Sequence, residues 1–78
     1  MEFFTAPCPG KGEIWIDKRF QGPNVRHDRL FVFQCGEGIH NIGMECLIGR
    51  QCQFLIQQVS ISETNPVEPL EVPFTCAP

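Results

Sequence analysis

The sequence predicts a small all-β fold, a disulfide-stapled antiparallel sheet arranged as a sandwich or barrel. Three observations predict it: apolar residues recur at period two, Gly and Pro punctuate the chain at short intervals, and no segment shows convincing helical periodicity. The chain has 78 residues and five cysteines. We therefore expect a single β domain over residues 1–78, whose modest core needs covalent links for stability.

Strands are predicted in order along the chain after an irregular segment over residues 1–12. Each strand combines alternation with β-favouring residues, and Pro73 confines the last one to a sheet edge. The predicted strands are Glu13–Asp17, Leu30–Gln34 as the central strand, Ile39–Ile42, Gln53–Ser62 and Glu71–Thr75. Turn residues place loops over 21–28 and 63–70. The apolar faces predict a core of Ile14, Ile16, Leu30, Val32, Phe33, Leu55, Val59 and Ile61.

The cysteines indicate an oxidising compartment, because this density in a short chain is typical of secreted disulfide-linked proteins. Cys8 and Cys35 stand at the outer ends of two predicted strands, where one disulfide could tie them. Cys76 is expected to pair with Cys46 or Cys52, and we favour Cys46 because Cys52 directly precedes the long strand. The odd thiol stays free or links two chains as a dimer.

The first residues show no secretory signal, so we take the sequence as that of a mature secreted protein. No apolar run is long enough to span a bilayer, so we expect no membrane span. The missing signal and odd cysteine count also fit a different class, an intracellular viral or phage accessory protein with reduced cysteines.

Charge is distributed unevenly along the chain. The net charge is −3, but residues 1–29 carry five basic against four acidic side chains, and residues 30–78 carry one basic against five acidic. This balance argues against general nucleic-acid binding. The basic side chains lie near the only tryptophan, and cations beside an aromatic ring suit an anionic glycan. The candidate binding residues are Trp15, Lys18, Arg19, Arg26 and Arg29.

A structural interpretation competes with each of these candidates. Trp15 is also expected in a core, and the charges can simply solvate a β surface. His40 with Cys46 and Cys52 would be a zinc set, but no short metal-ligand pair exists, so we predict no metal or cofactor. No nucleophile elbow, phosphate loop or paired-carboxylate cleft is legible, so we predict no catalytic residues and no enzyme activity.

The segment from Cys8 to Cys35 has a distinctive order of residues. A cysteine follows an aromatic, a turn and an alternating strand come next, and Asp-Arg with spaced aromatics precedes the second cysteine. The residues concerned are Phe4, Cys8-Pro9, Gly12, Ile14, Ile16, Asp28-Arg29, Phe31, Phe33 and Cys35. This order resembles one repeat of the dermatopontin family of extracellular-matrix proteins, although the family usually has Trp where Phe31 stands and is rich in Tyr, which this chain lacks.

The resemblance covers roughly a third of the chain. It implies a β architecture, a disulfide between Cys8 and Cys35, and a secreted adhesive role toward matrix proteins, proteoglycans or sugars. The function predicted is therefore that of a secreted, non-enzymatic binding or adhesion module for an extracellular protein or anionic glycan. The alternative is a small secreted cysteine-rich effector, toxin or inhibitor that acts on a target protein.

Overall fold

A computed structural model gives the fold and describes residues 1–8, 11–46 and 54–74, without the side chains of Cys46 and Phe54. The described residues form strands and turns and contain no helix, hence none long and apolar enough to cross a membrane. The strands in these segments are β1 (Glu2–Thr5), β2 (Gly12–Ile16), β3 (Arg19–Pro23), β4 (Val25–Arg26), β5 (Arg29–Leu30), β6 (Phe33–Cys35), β7 (Gly38–Cys46), β8 (Phe54–Ile61) and β9 (Leu70–Glu71).

The strands form two sheets and a separate hairpin. The larger sheet has the order β3-β2-β7-β8 and is antiparallel throughout. The smaller sheet has the order β6-β1-β9, in which β1 is antiparallel to β6 and parallel to β9. Among the described strands, β4 and β5 pair only with each other. The prediction of an all-β class is confirmed for the described residues, and their strand pairs are antiparallel except for the parallel pair β1–β9.

Both sheets contribute to one hydrophobic cluster. On β2, and on β7 apart from the buried Gly43, residues of higher and lower burial alternate, so one face of the larger sheet packs inward and the other faces solvent. In the smaller sheet the Phe4 and Phe33 rings stack with their centroids 5.2 Å apart. The buried apolar residues are Phe4, Ala6, Ile14, Ile16, Phe33, Cys35, Ile42, Met44, Ile61, Val72 and Phe74.

Half of the predicted core is buried as expected, and half is not. Fully packed members are Ile14, Ile16, Phe33 and Ile61, while Leu55 and Val59 are partly buried against the cluster. Val32 is also half-buried. Leu30 was wrongly predicted, because it ends the peripheral β4–β5 hairpin and is 42% exposed.

The predicted strands Glu13–Asp17, Ile39–Ile42 and Gln53–Ser62 correspond to β2, β7 and the described part of β8. Residues 1–12 and 21–28 were wrongly predicted to be irregular, because β1, β3 and β4 occupy parts of them. The predicted last strand Glu71–Thr75 overlaps β9 only at Glu71, because β9 spans Leu70–Glu71 and residues 72–74 are not strand. Strand β9 is a sheet edge, as predicted, and residues beyond 74 lie outside the description.

The predicted central strand Leu30–Gln34 is divided in two. The Phe31 amide donates to the Asn24 carbonyl at 2.8 Å, and the chain leaves the β4–β5 hairpin before β6 begins. Strand β6 then begins at Phe33 and forms one edge of the smaller sheet, not its centre. Apolar residues on both faces of this segment therefore reflect two separate packing environments and not one buried strand.

Asn24 joins three segments from a fully buried position. Its Oδ1 accepts a hydrogen bond from the Gly12 amide at 2.9 Å, and its Nδ2 donates to the Ala6 carbonyl at 2.8 Å. The Asn24 amide also donates to the Gly12 carbonyl at 2.9 Å. A buried side-chain amide is stable only when its donors and acceptor are matched, and here both its nitrogen and its oxygen are bonded.

Two tight hairpins use residues with positive φ in place of glycine. Asp17 and Lys18 have φ of 48° and 70° between β2 and β3, and His27 and Asp28 have φ of 54° and 63° between β4 and β5. Positive φ at both central residues is the requirement of a type I′ turn, whose twist matches that of the flanking strands. Lys18 is thereby placed at the tip of the β2–β3 hairpin.

The loop between β8 and β9 is tied to the first strand. The Thr64 amide and hydroxyl both donate to Glu2 Oε1, at 2.8 and 2.6 Å, and the Phe3 amide donates to Thr64 Oγ1 at 2.7 Å. The Thr64 hydroxyl and amide lower the pKa of the Glu2 carboxyl. This loop was predicted over 63–70 and is confirmed up to the start of β9.

The expected disulfide between Cys8 and Cys35 is absent, and Cys35 is a free cysteine. The strand register explains why: Cys35 pairs with Glu2 in the β1–β6 ladder, whereas Cys8 follows the far end of β1. Six residues of extended chain span about 20 Å, and a disulfide needs Cα atoms within about 7 Å. The other predicted disulfide joins Cys76 to Cys46 or Cys52, and the side chains of all three lie outside the described part of the chain.

Candidate functional site

A groove crosses the solvent-facing side of the larger sheet. It has a volume of about 280 Å³ and is lined by Trp15, Lys18, Asn41, Gly43 and Ile56. We call it the Trp15 groove. Its walls are mostly apolar, with one amide and one ammonium group, so it can hold a ring-sized group by stacking while polar atoms fix the orientation.

Strand register produces the groove. Phe20, Trp15, Gly43 and Ile56 occupy successive positions across β3, β2, β7 and β8. Gly43 has no side chain, so a gap remains between the Trp15 ring and Ile56. On the other side, Phe20 packs edge-on against Trp15, with ring centroids 5.2 Å apart and an interplanar angle of 63°. That contact fixes one face of the Trp15 ring and leaves the indole as a wall of the groove.

The two ends of the Trp15 groove differ in charge. Lys18 lies at one end on the β2–β3 turn, beside Asn41 of β7. Toward the other end, Glu13 and Glu45 are direct partners across β2 and β7. Glu13 lies two residues from Trp15 on β2, so this pair is on the same face of the sheet as Trp15. An acidic group in the groove is therefore repelled from the glutamate end and attracted to Lys18.

The predicted basic patch is divided by the fold. Trp15 and Lys18 meet in the groove, whereas Arg19 lines a different cleft. Arg26 and Arg29 are partners in the β4–β5 hairpin. The Arg26 guanidinium carbon lies 3.8 Å from the centroid of the Phe31 ring, and its Nη2 donates to the Gln21 carbonyl at 3.4 Å. Arg26 therefore has a structural role in holding its hairpin.

A charged pair stands next to the groove. Asp17 Oδ2 lies 2.6 Å from His40 Nδ1, and His40 Nε2 lies 2.7 Å from the Gly36 carbonyl oxygen. Asp17 Oδ1 accepts a hydrogen bond from the Asn41 amide at 2.9 Å. The Asn41 amide and the His40 ring lower the pKa of Asp17, in that order. The Asp17 carboxylate and then the Gly36 carbonyl raise the pKa of His40.

A second cleft of about 390 Å³ lies on the other side of this pair and is bordered by His40, Arg19 and Cys35. Burial raises the pKa of the Cys35 thiol, with further contributions from the charges of Glu2 and Asp17. Cys35 therefore remains a protonated thiol at neutral pH and is a poor nucleophile. Its burial also removes it as the thiol that would link two chains.

The described lining of the Trp15 groove includes no carboxylate, histidine or thiol. No three His, Cys, Asp or Glu side chains among the described residues are grouped to hold a metal ion. The zinc set considered from the sequence includes Cys46 and Cys52, whose side chains are not described.

Sequence reasoning missed Asn41, Gly43 and Ile56. None carries a motif, and each reaches Trp15 only through pairing of strands more than twenty residues apart in the chain. The signal that was present is Ile56 itself, an apolar residue on the outer face of β8, opposite Gly43. No protein-family model, curated protein or solved structure significantly matches this chain.

Proposed function

We propose that this chain is a secreted, non-enzymatic module that binds an anionic glycan in the Trp15 groove. The observation that carries the proposal is the arrangement of Trp15, Lys18 and Asn41 around the Gly43 floor. A sugar ring offers an apolar face to the indole and hydroxyl groups to the Asn41 amide. An acidic substituent on the sugar lies toward Lys18 and away from Glu13 and Glu45.

The size of the Trp15 groove suits one sugar ring of a longer chain. Its volume of about 280 Å³ is near the lower limit of pockets that bind small molecules, about 300–1,000 Å³. The groove is open to solvent, so neighbouring sugars continue across the exposed sheet. Phe20 supports the back of the indole ring, which reduces the ordering that Trp15 must undergo on binding.

The proposal includes secretion, adhesion to matrix and the second expected disulfide, which joins Cys76 to Cys46 or Cys52. Their support from Cys8 and Cys35 is lost, because Cys35 is a free cysteine. The support that remains is the order of residues shared with the dermatopontin repeat and the other three cysteines, Cys46, Cys52 and Cys76. A free-thiol count under denaturing, non-reducing conditions tests this part: three free thiols support one disulfide, and five support a reducing compartment.

Tryptophan fluorescence tests the groove directly, because Trp15 is the only tryptophan. A heparin-derived hexasaccharide and a neutral chitohexaose are titrated into the protein. We expect the sulfated sugar to change the emission of Trp15 at lower concentration than the neutral one. We also expect its affinity to fall as salt rises, because exposed charges are screened.

Two variants locate the site. Lys18→Asn removes the charge and keeps a residue that tolerates the φ of 70° at this position. Arg29→Gln removes one charge from the other hairpin and is the matched control. Lys18→Asn should weaken binding about two- to fivefold, the size of an exposed ion pair, and Arg29→Gln should leave it unchanged. The proposal is wrong if neither sugar alters Trp15 emission, or if both variants weaken binding equally.

A protein target is a second candidate, and the exposed apolar side chains favour it. Phe20, Ile39 and Ile56 are 52%, 68% and 63% exposed on the larger sheet. Apolar groups together on one surface are typical of protein-binding sites. If the protein is an effector or inhibitor, wild type should inhibit a member of a protease panel and Ile39→Ser should not. Binding of sugar without any such inhibition would instead support the glycan module.

A further inference from the structure

Both ring nitrogens of His40 face hydrogen-bond acceptors. Nδ1 is 2.6 Å from Asp17 Oδ2, and Nε2 is 2.7 Å from the Gly36 carbonyl oxygen. A carbonyl oxygen can only accept, and an ionised carboxylate can only accept. Each ring nitrogen must therefore carry a proton, so His40 is an imidazolium in this arrangement. A neutral imidazole has a single N–H and can satisfy only one of these acceptors.

This histidine is linked to two residues of the Trp15 groove. Asp17 precedes Lys18 in the β2–β3 turn, and its Oδ1 accepts from the amide of Asn41 at 2.9 Å. The Asp17 amide in turn donates to the Asn41 carbonyl at 2.9 Å. Asp17 therefore bonds at the same time to His40 and to the backbone of a groove residue, and it sets the position of the turn from which Lys18 extends.

We propose that the protonated ring of His40 acts as a latch that holds the Asp17–Lys18 turn against the groove, so that the groove is formed below, and loosened above, the pH at which His40 loses its proton. This regulation rests on the proposed function in so far as it concerns ligand affinity. The latch itself is a property of the free protein.

The surroundings of His40 support its charged form. The β2–β3 turn and β3 contribute Asp17 and Arg19, and β6 contributes Cys35, which remains a neutral thiol. The β8 residue paired with His40 is Val59, which carries no charge. The Asp17 carboxylate is thus the charge in direct contact with the ring, and it raises the pKa of His40 foremost.

Loss of the proton places two acceptors in contact. If the remaining hydrogen stays on Nε2, the Nδ1 lone pair faces the Asp17 carboxylate; if it moves to Nδ1, the Nε2 lone pair faces the Gly36 carbonyl. Either arrangement releases one side of the latch. If binding requires the protonated form, the apparent Kd should rise about tenfold for each pH unit above the His40 midpoint, because the competent fraction falls by that factor.

Nuclear magnetic resonance of the free protein tests the latch without any ligand. The ring signals of His40 and His27 give their separate midpoints, and the Lys18 amide and Trp15 indole signals report on the turn and the groove. In wild type, we expect the Lys18 and Trp15 signals to shift at the His40 midpoint. His40→Gln should abolish this shift, and His27→Gln, which alters the other hairpin turn, should leave it unchanged.

The outcomes separate the latch from the glycan proposal. The latch is overturned if Lys18 and Trp15 signals stay fixed while His40 titrates, or if they follow His27; the wild-type titration decides this even where His40→Gln fails to fold. The heparin hexasaccharide is then titrated one pH unit below and one above the His40 midpoint. Equal affinity overturns control of binding by the latch. Absence of binding at both values refutes the glycan proposal, while the free-protein signals still decide the latch.

Discussion

Replacement of Asn24 is the sharpest test of how the fold is held together. Asn24→Ala removes two side-chain hydrogen bonds, to the Gly12 amide and the Ala6 carbonyl, at a fully buried position. Each bond contributes about 1 kcal/mol, and each buried group left without its partner costs about 1–3 kcal/mol. With partial relaxation or entry of water, we expect unfolding free energy to fall by about 3–5 kcal/mol, a large share of the roughly 4–12 kcal/mol typical of this size.

Urea unfolding followed by Trp15 fluorescence measures this loss. Asn65→Ala is the matched control, because Asn65 is exposed and its Oδ1 accepts from the amides of Val67 and Glu68 at 2.9 and 2.8 Å. The control should cost about 1 kcal/mol or less, because solvent can replace the lost bonds. If Asn24→Ala and Asn65→Ala have similar midpoints and slopes, Asn24 does not join the three segments as described.

A second variant at the same position identifies the donor. In Asn24→Asp, one oxygen of the ionised carboxylate can accept from the Gly12 amide, but the other oxygen faces the Ala6 carbonyl, which is also an acceptor. The protonated acid can instead donate its O–H to the Ala6 carbonyl. Burial and this contact should raise the folded-state pKa of the introduced carboxyl above its unfolded value of about 3.9. The variant should therefore lose stability relative to wild type as pH rises from about 4 through that folded pKa. A constant difference across this range would contradict the assignment of Nδ2 to Ala6.

Three further changes test the core, the start of β7 and the latch. Phe33→Ala should lower the unfolding free energy by about 3–5 kcal/mol, and a thermal melt close to that of wild type would contradict its place in the core. Gly38→Ala should destabilise by about 1 kcal/mol or more, because Gly38 has a φ of 130°, while Gly36→Ala, with no atom near the added Cβ, is the control in the same urea assay. The folded pKa of His40 is raised. Its stabilising contribution is therefore complete below the unfolded pKa of about 6.5 and is lost as pH rises through the folded pKa. Thermal melts at a series of pH values should show this loss of stability in His27→Gln and not in His40→Gln.

The parts of the fold that the sequence predicted are those where alternation and burial agree. Strands β2 and β8 have clear period-two patterns, and their inward residues Ile14, Ile16 and Ile61 are buried. Strand β1 was missed because Pro and Gly follow it closely, although its short run Phe3-Phe4-Thr5 enters the smaller sheet. Its pairing with β6 and β9 is determined by distant residues, which local pattern cannot reveal.

The continuous apolar run around Phe31 led to the main error, the assignment of Leu30–Gln34 as one central strand. Local pattern could not show that the carbonyl of Asn24 accepts the Phe31 amide, or that Arg26 packs on the Phe31 ring. The same limit applies to the site. Trp15 and Lys18 were found because the only Trp lies in the basic part of the chain, whereas Gly43 enters the groove only through the β2–β7 register.

The position of β1 between β6 and β9 has a consequence for folding. Phe4 pairs with Phe33 on one side and with Leu70 on the other, so its second partner is 66 residues away in the chain. Contacts this distant form after local hairpins, because closing long loops costs entropy before the contacts repay it. Until β9 arrives, β1 presents an open edge beside aromatic side chains, and such an edge can pair with another chain. Slow or crowded refolding should therefore yield aggregates joined through β1 more readily than through the hairpin strands.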